Sequence, residues 1–199
     1  MRAFARPTPI GRLSPDARWV YTLFLCFMLA GYASAAWLYL DDELDLGPEA
    51  AETYYLGAAP EPVAPAAPAP AGGPAFELPP AEEIPPAAEP LRLAKPRRQV
   101  VETTHFHLFS VSVCYLILAH LFMMCSLPDR LRRGVVIGSG LASLLHVITP
   151  ALIVFASPGL AWLMGPSAVV MGLGWIFMTL WPLYELWRPQ GPAREAAGT

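Results

Sequence analysis

The chain has 199 residues and a formal net charge of −3; 55% of its residues are hydrophobic and only 15% are charged. An ordinary soluble domain carries roughly 25% charged residues, so this composition argues against a soluble globular protein. Phosphate-binding glycine loops, zinc-protease motifs and basic stretches interleaved with aromatics are absent from the sequence, which gives no indication of nucleotide or nucleic-acid binding.

Four apolar blocks predict an all-α membrane protein with four transmembrane helices in an antiparallel bundle, because about 20 apolar residues cross a bilayer. The blocks are residues 19–40, 105–127, 134–156 and 160–187. A basic segment, residues 1–18, precedes them, and a tail, residues 188–199, follows them. Ala33–Ser34–Ala35 resembles a signal-peptidase site, which leaves cleavage of the first block open. The apolar run continues through Leu40 and favours an uncleaved anchor.

The distribution of basic residues predicts the orientation, because lysine and arginine near span ends tend to stay cytoplasmic. Nine of the thirteen precede the first block, separate the second from the third, or follow the fourth. The other four, Arg92, Lys95, Arg97 and Arg98, lie in the long loop between the first two blocks. We therefore expect cytoplasmic termini and a loop outside the cytoplasm.

This loop, residues 41–104, is rich in proline and alanine and holds 12 acidic residues. Proline lacks an amide hydrogen and restricts its neighbour, so we expect a disordered loop without helix or sheet. The 31 residues from Pro60 to Pro90 predict a polyproline-II spacer with a reach on the order of 95 Å. The loop is either a tether for a periplasmic protein or a solvated spacer kept extended by its charges.

The three cysteines, Cys26, Cys114 and Cys125, all lie in apolar blocks. No C-x-x-C pair occurs, so we expect small buried hydrophobic residues, not disulfides or a thiolate cluster. Met123, Met124 and Cys125 are consecutive and point in different directions, which favours packing over copper binding.

Histidine is the feature of the membrane part that carries chemistry, since it is the commonest metal ligand and a common axial ligand of haem iron. The four are His105, His107, His120 and His146. On a helix, His105 and His120 lie about 60° apart in direction and roughly 22 Å apart along the axis. This spacing, with 14 intervening residues, resembles membrane b-type cytochromes, in which one helix carries two histidines near opposite membrane faces.

The third block supplies His146 as a candidate partner. With helix ends at Ser126 and Gly134, His120 lies about 9 Å and His146 about 18 Å from the cytoplasmic end, a mismatch for two axial ligands. Pro150 deprives the His146 carbonyl of its helical hydrogen bond and predicts a kink. The expectation is haem b on His105, His120 and His146, the alternative being hydrogen-bonded packing histidines without a cofactor.

A second set of ligands lies at the outer end of the second block. Glu102 stands three residues before His105, in the E-x-x-H spacing of carboxylate–imidazole metal sites. His107 follows two residues later. We therefore expect a metal site formed by Glu102, His105 and His107, the alternative being interfacial histidines exposed to water.

Small residues indicate where membrane helices approach closely. Gly134 and Gly138 form a small-x-x-x-small pattern, and Gly172 and Gly174 lie in the fourth block. This pattern predicts a compact bundle or docking to another subunit.

Three segments resemble a group of uncharacterised bacterial inner-membrane proteins that open with T-H-x-H-L. They are Thr104–Ser110, Ser126–Leu131 and Leu183–Trp187. The resemblance covers about the last 85 residues and implies a multi-pass protein of the bacterial inner membrane. It implies no activity, but it suggests that His105 and His107 belong to the working face of the domain.

These patterns predict a haem- or metal-binding membrane subunit of a respiratory or electron-transfer complex, which is not an enzyme on its own. Its partners would be the lipid bilayer, other membrane subunits and a periplasmic protein contacted by the loop. The alternative is a cofactor-free structural or assembly subunit that tethers a periplasmic partner. A transporter is disfavoured, since no acidic residue lies mid-membrane and no inverted repeat is visible.

Overall fold

A computed structural model describes residues 9–41, 47–58 and 93–188. All regular structure in these residues is helical: α1 (Pro15–Asp41), α2 (Pro48–Leu56), α3 (Arg97–Met123), α4 (Asp129–Phe155) and α5 (Met164–Trp187), with short 3-10 segments at Ile10–Arg12 and Pro158–Leu163. Four stretches are long and apolar enough to cross a membrane: Pro15–Trp37, Arg97–Met123, Asp129–Phe155 and Pro158–Trp187. The prediction of an all-α protein with four transmembrane helices is confirmed.

Three helices form the centre of the bundle. α4 packs most extensively on α5, α3 packs on both, and α1 packs against α5. We call the end that holds α2, the start of α3 and the end of α4 the loop end. The opposite end, with the α3–α4 connection and the end of α5, is the turn end. α1 joins α5 through Tyr32, whose hydroxyl lies 3.1 Å from that of Thr179, and through Trp187, which donates to the Thr22 hydroxyl.

Glycine allows close approach at two points in the centre. A side chain at Gly174 would overlap Ser139 on α4, and one at Gly140 would lie 2.6 Å from the Tyr115 hydroxyl. Gly134 and Gly138 have nothing within 4 Å of an added methyl group, and they line an open groove between α4 and α5. The close helix contacts within the bundle therefore use Gly140 and Gly174 instead of the predicted Gly134–Gly138 pair.

A buried carboxylate organises the turn end. Both oxygens of Glu185 on α5 accept from the backbone amide of Ser126, at 3.0 and 2.9 Å, and one also accepts from the Trp181 indole at 2.7 Å. The N-terminal 3-10 turn docks beside them, with Ile10 fully buried and its amide donating to the Met124 carbonyl. These bonds fix the α3–α4 connection to the N-terminal 3-10 turn and to α5.

All three cysteines are free, and they differ in burial. Cys125 is buried in the α3–α4 connection, and burial, reinforced by Glu185, raises the pKa of its thiol to about 12 despite the opposing charge of Arg132. Cys114 is half-buried. Cys26 is exposed on α1, so the prediction that every cysteine is a buried residue is wrong there.

The expectation that residues 41–104 lack helix is wrong at both described ends of this range. α2 begins with Gly47–Pro48, because proline suits the first helical position, and ends at Gly57 with φ 83°. α3 begins at Arg97, eight residues before the predicted block, since its polar first two turns continue the helix beyond the apolar span. The predicted disorder of Pro60–Pro90 lies outside the described residues.

Candidate functional site

The register of α3 against α4 places two histidines at one level. The Arg97 guanidinium lies 5.9 Å from the Phe155 ring at the loop end, and these residues are the loop-end termini of the two helices. His107 is ten residues from Arg97 and His146 nine from Phe155, so both lie about 14–15 Å from that end. The Tyr115 hydroxyl donates to the Val136 carbonyl at 2.6 Å and supports the same register.

His107 is oriented by its own helix. Its Nδ1 lies 2.8 Å from the carbonyl oxygen of Thr103, one turn earlier. A carbonyl oxygen can only accept, so Nδ1 carries the proton in this arrangement. The Nε2 atom of His107 therefore retains its lone pair.

His146 is oriented by α5. Its Nδ1 lies 3.2 Å from the Ser167 hydroxyl oxygen, and that hydroxyl donates its own proton to the Met164 carbonyl at 3.0 Å. Ser167 is therefore the acceptor for Nδ1–H, which again leaves the lone pair on Nε2. Ser167 is buried and His146 is half-buried, so this orientation is shielded within the bundle.

Together, His107 and His146 form a pair with the organisation of metal ligands, which we call the His107–His146 pair. The two differ in burial, because the His107 side chain is exposed and the His146 side chain is half-buried. Metal-binding histidines almost always donate their second ring N–H to a carbonyl, carboxylate or similar acceptor, as both do here. The buried hydroxyl of Thr104, three residues before His107, has no hydrogen-bond partner within the described parts of the chain, and buried groups of this kind indicate a missing water or ligand.

The other two histidines lie on a different face of α3. Glu102, His105, Ser112 and His120 are all exposed and point away from the bundle; we call these four residues the exposed stripe. His105 and His120 thus share a side of the helix, as their spacing predicts. The His105 ring packs edge-on against Phe109, with centroids 5.0 Å apart.

The predicted ligand sets are not brought together. Glu102 is ion-paired with Arg98 at 2.7 Å, and His107 lies on another side of α3 from Glu102 and His105. No group of three or more histidine, cysteine or acidic residues suited to a metal occurs among the residues that the structure describes. Within the described residues, the pair therefore has no third protein ligand of these types.

His120 and His146 are also far apart in level. His120 lies three residues from Met123, about 5 Å from the turn end, whereas His146 lies 17 residues from Asp129, about 26 Å from it. The predicted mismatch is larger because α4 begins at Asp129 and not at Gly134. Haem ligation by these histidines stays a prediction, without support from their placement.

Residues 45–193 match the Aq_1264_TM family, described as a transmembrane helical domain. The chain belongs to this family. The match covers α2 to α5 and includes the His107–His146 pair and Ser167. No curated protein and no solved structure matches the chain. Membership establishes a transmembrane helical domain and points to no ligand. Sequence reasoning missed Ser167, although a serine within an apolar span signals a hydrogen-bonding role.

Proposed function

We propose that this chain is a metal-binding membrane subunit that holds one transition-metal ion between His107 and His146 and serves in an electron-transfer assembly. One observation carries the proposal: both imidazoles have Nδ1–H tied to an acceptor and the Nε2 lone pair available, at the same level of the bundle. Orientation of this kind is what second-shell acceptors supply at protein metal sites.

The surroundings favour a single ion over haem b. Imidazole suits zinc, copper, iron and nickel, and copper is the member of this group that combines strong binding with redox change. A porphyrin is many times larger than the cavity of about 70 Å³ that lies beside the pair. Two protein ligands leave coordination positions for a small exogenous ligand.

The charge distribution supports a location of the site near the outer face of a bacterial inner membrane. The pair lies in the half of the bundle nearer the loop end, and nine of the thirteen basic residues lie at the opposite side or in the termini. By the positive-inside tendency, the loop end faces away from the cytoplasm. The ion would then exchange with the extracytoplasmic compartment.

Metal affinity of histidine variants tests the proposal. We expect His107→Ala and His146→Ala each to weaken copper binding at least about 100-fold, since loss of a second-shell partner alone costs 10–100-fold. The measurement is competition with a chelator for Cu(I) by the purified full chain, with metal content by mass spectrometry. His105→Ala, two residues away on the exposed stripe, is the matched control and should bind as the wild type does.

Two results would contradict the proposal. Equal affinity of all three variants would show that the pair is not the site. A Soret band in the purified protein that disappears in His120→Ala and His146→Ala would establish haem ligation instead.

A second candidate function is that of a structural or assembly subunit, which the exposed stripe favours. Ionisable residues on membrane helices almost always face a protein interior or water, because hydrocarbon disfavours them. On the stripe, Glu102, His105 and His120 face neither α4 nor α5. A partner helix covering α3 would provide their polar surroundings.

A bulky substitution at the centre of the stripe tests this candidate. Leu116 is 66% exposed on that side of α3, and Leu141 is 64% exposed on α4. We expect Leu116→Trp to reduce the mass of the particle extracted in polymer nanodiscs by the mass of the partner, and Leu141→Trp to leave the mass unchanged. A wild-type particle that contains one chain and nothing else would reject the docking role.

A further inference from the structure

A small cavity opens directly above the His107–His146 pair, on its loop-end side. It has a volume of about 70 Å³, and its lining includes Thr103 on α3 and Pro150 on α4. Each of these residues is four positions from its histidine, so the cavity lies one helical turn, about 6 Å, further out. α2 closes the cavity from the side through Tyr54 and Tyr55.

The groups that line the cavity are suited to an anion. Among the described residues, Lys95 is the only charged one that lines the cavity, and its ammonium carries three donors and no acceptor. Gln99 and Thr103 also line it and have an amide and a hydroxyl that can donate, and no carboxylate belongs to the lining within the described ranges. Nearby, the Glu102 carboxylate is paired with Arg98.

Lys95 is held in position by α2 but not neutralised by it. Its backbone amide donates to the Tyr55 carbonyl at 3.1 Å, and its ammonium lies 4.5 Å from the centre of the Tyr54 ring. Within residues 9–41, 47–58 and 93–188, the ion pairs involve other side chains. Within these ranges the Lys95 ammonium contacts the face of Tyr54 and pairs with no carboxylate, and Lys95 lines the cavity.

We propose that this cavity binds a phosphate group, either free in solution or on a lipid headgroup. A lysine ammonium with neutral donors around it is a common phosphate-binding arrangement, and the volume suits one such group. Phosphate binding does not require a bound metal. The functional part of the inference rests on the proposed function: a cation on the pair and a phosphate one turn above it attract each other, so each raises the affinity of the other.

Titration of the metal-free full chain with inorganic phosphate, followed by phosphorus NMR line broadening, tests the site. We expect saturable binding that Lys95→Gln weakens about tenfold or more, since hydrogen bonds to charged groups are worth about 1.5–3 kcal/mol. Lys95→Arg should retain it. Arg97→Gln removes the same charge from the same end, outside the cavity and without releasing a carboxylate, and should bind as the wild type does.

Nanodiscs of two different lipids distinguish free phosphate from a lipid headgroup. If the headgroup of phosphatidylglycerol is the occupant, nanodiscs of that lipid will block the binding of inorganic phosphate. Phosphatidylcholine nanodiscs, whose headgroup also bears a phosphate, are the comparison for net charge. If a dissolved anion is the occupant, inorganic phosphate will bind equally well in both kinds of nanodisc. Absence of saturable phosphate binding and of retained lipid would overturn the proposal. Equal losses in Lys95→Gln and Arg97→Gln would also overturn it.

The effect of copper on phosphate binding tests this inference separately from the proposed function. Copper bound at the pair should raise phosphate affinity about tenfold, within the usual range of coupling between sites, and His146→Ala should remove this gain while metal-free binding persists. Normal phosphate binding without any copper effect would contradict the metal site and leave the phosphate site standing.

Discussion

Replacing Glu185 with alanine is expected to lower the free energy of unfolding by about 2–6 kcal/mol, one of the largest effects of any single substitution in this chain. The side chain is 7% exposed, and the variant leaves the Ser126 amide and the Trp181 indole without their acceptor. Each buried donor left unsatisfied costs about 1–3 kcal/mol. The measurement is unfolding by sodium dodecyl sulfate in mixed micelles, followed by tryptophan fluorescence.

Glu102→Ala is the matched control, because it removes a carboxylate from an exposed ion pair. Arg98 and Glu102 are both largely exposed, and pairs of this kind contribute about 0–1 kcal/mol. A loss from Glu185→Ala no larger than the loss from Glu102→Ala would show that the hydrogen bonds at the turn end do not stabilise the fold.

Glu185 also illustrates how a residue at a predicted span end can have a structural role that its position does not reveal. The sequence predicts a position beside the cytoplasmic boundary, where a carboxylate is ordinarily exposed to water. Its burial depends on the α3–α4 connection folding over the end of α5, which brings Ser126 within 3.0 Å although it is 59 positions away. Contacts of that separation are not contained in a local pattern.

The four spans could be predicted because hydrophobic length is a local property of the chain. Their polar ends could not be located from the same signal. The Arg97 start of α3 and the Asp129 start of α4 lie outside the apolar blocks, although Pro128–Asp129 is a recognisable helix start. Because the apolar block leaves out the first turn of α4, it places His146 too close to the turn end. With the full helix, His146 is level with His107 and not with His120.

The candidate pair required one further piece of information, the side of α3 that faces the bundle. Helix geometry alone separates His107 and His120 by about 140° in direction, but does not say which is inside. Val100, Leu118 and Phe122 are buried, and helix geometry places His107 on their side of α3, where its own side chain is still exposed. Histidine spacing within α3 correctly grouped His105 with His120, on the opposite, exposed side.

The last large effect concerns the closest helix contact. We expect Gly174→Ala to destabilise the bundle by about 1–3 kcal/mol, the usual cost of overpacking, because its methyl group would overlap the Ser139 side chain and press on the α4 backbone. Ser139 is buried and bonded to the Val135 carbonyl at 2.7 Å, so it cannot move aside without losing that bond. α4 and α5 would have to separate.

Gly172→Ala is the matched control for this prediction. It lies two residues away on the same helix and has nothing within 4 Å of the new methyl group. Because alanine favours helix over glycine by up to about 1 kcal/mol, this variant should be neutral or more stable. Unfolding in mixed micelles compares the two directly. A destabilisation shared by both variants would mean that lost helix flexibility, and not contact with Ser139, sets the cost. Destabilisation confined to Gly174→Ala would show that the close approach of α5 to Ser139 on α4 sets the cost. The His146–Ser167 hydrogen bond joins the same two helices.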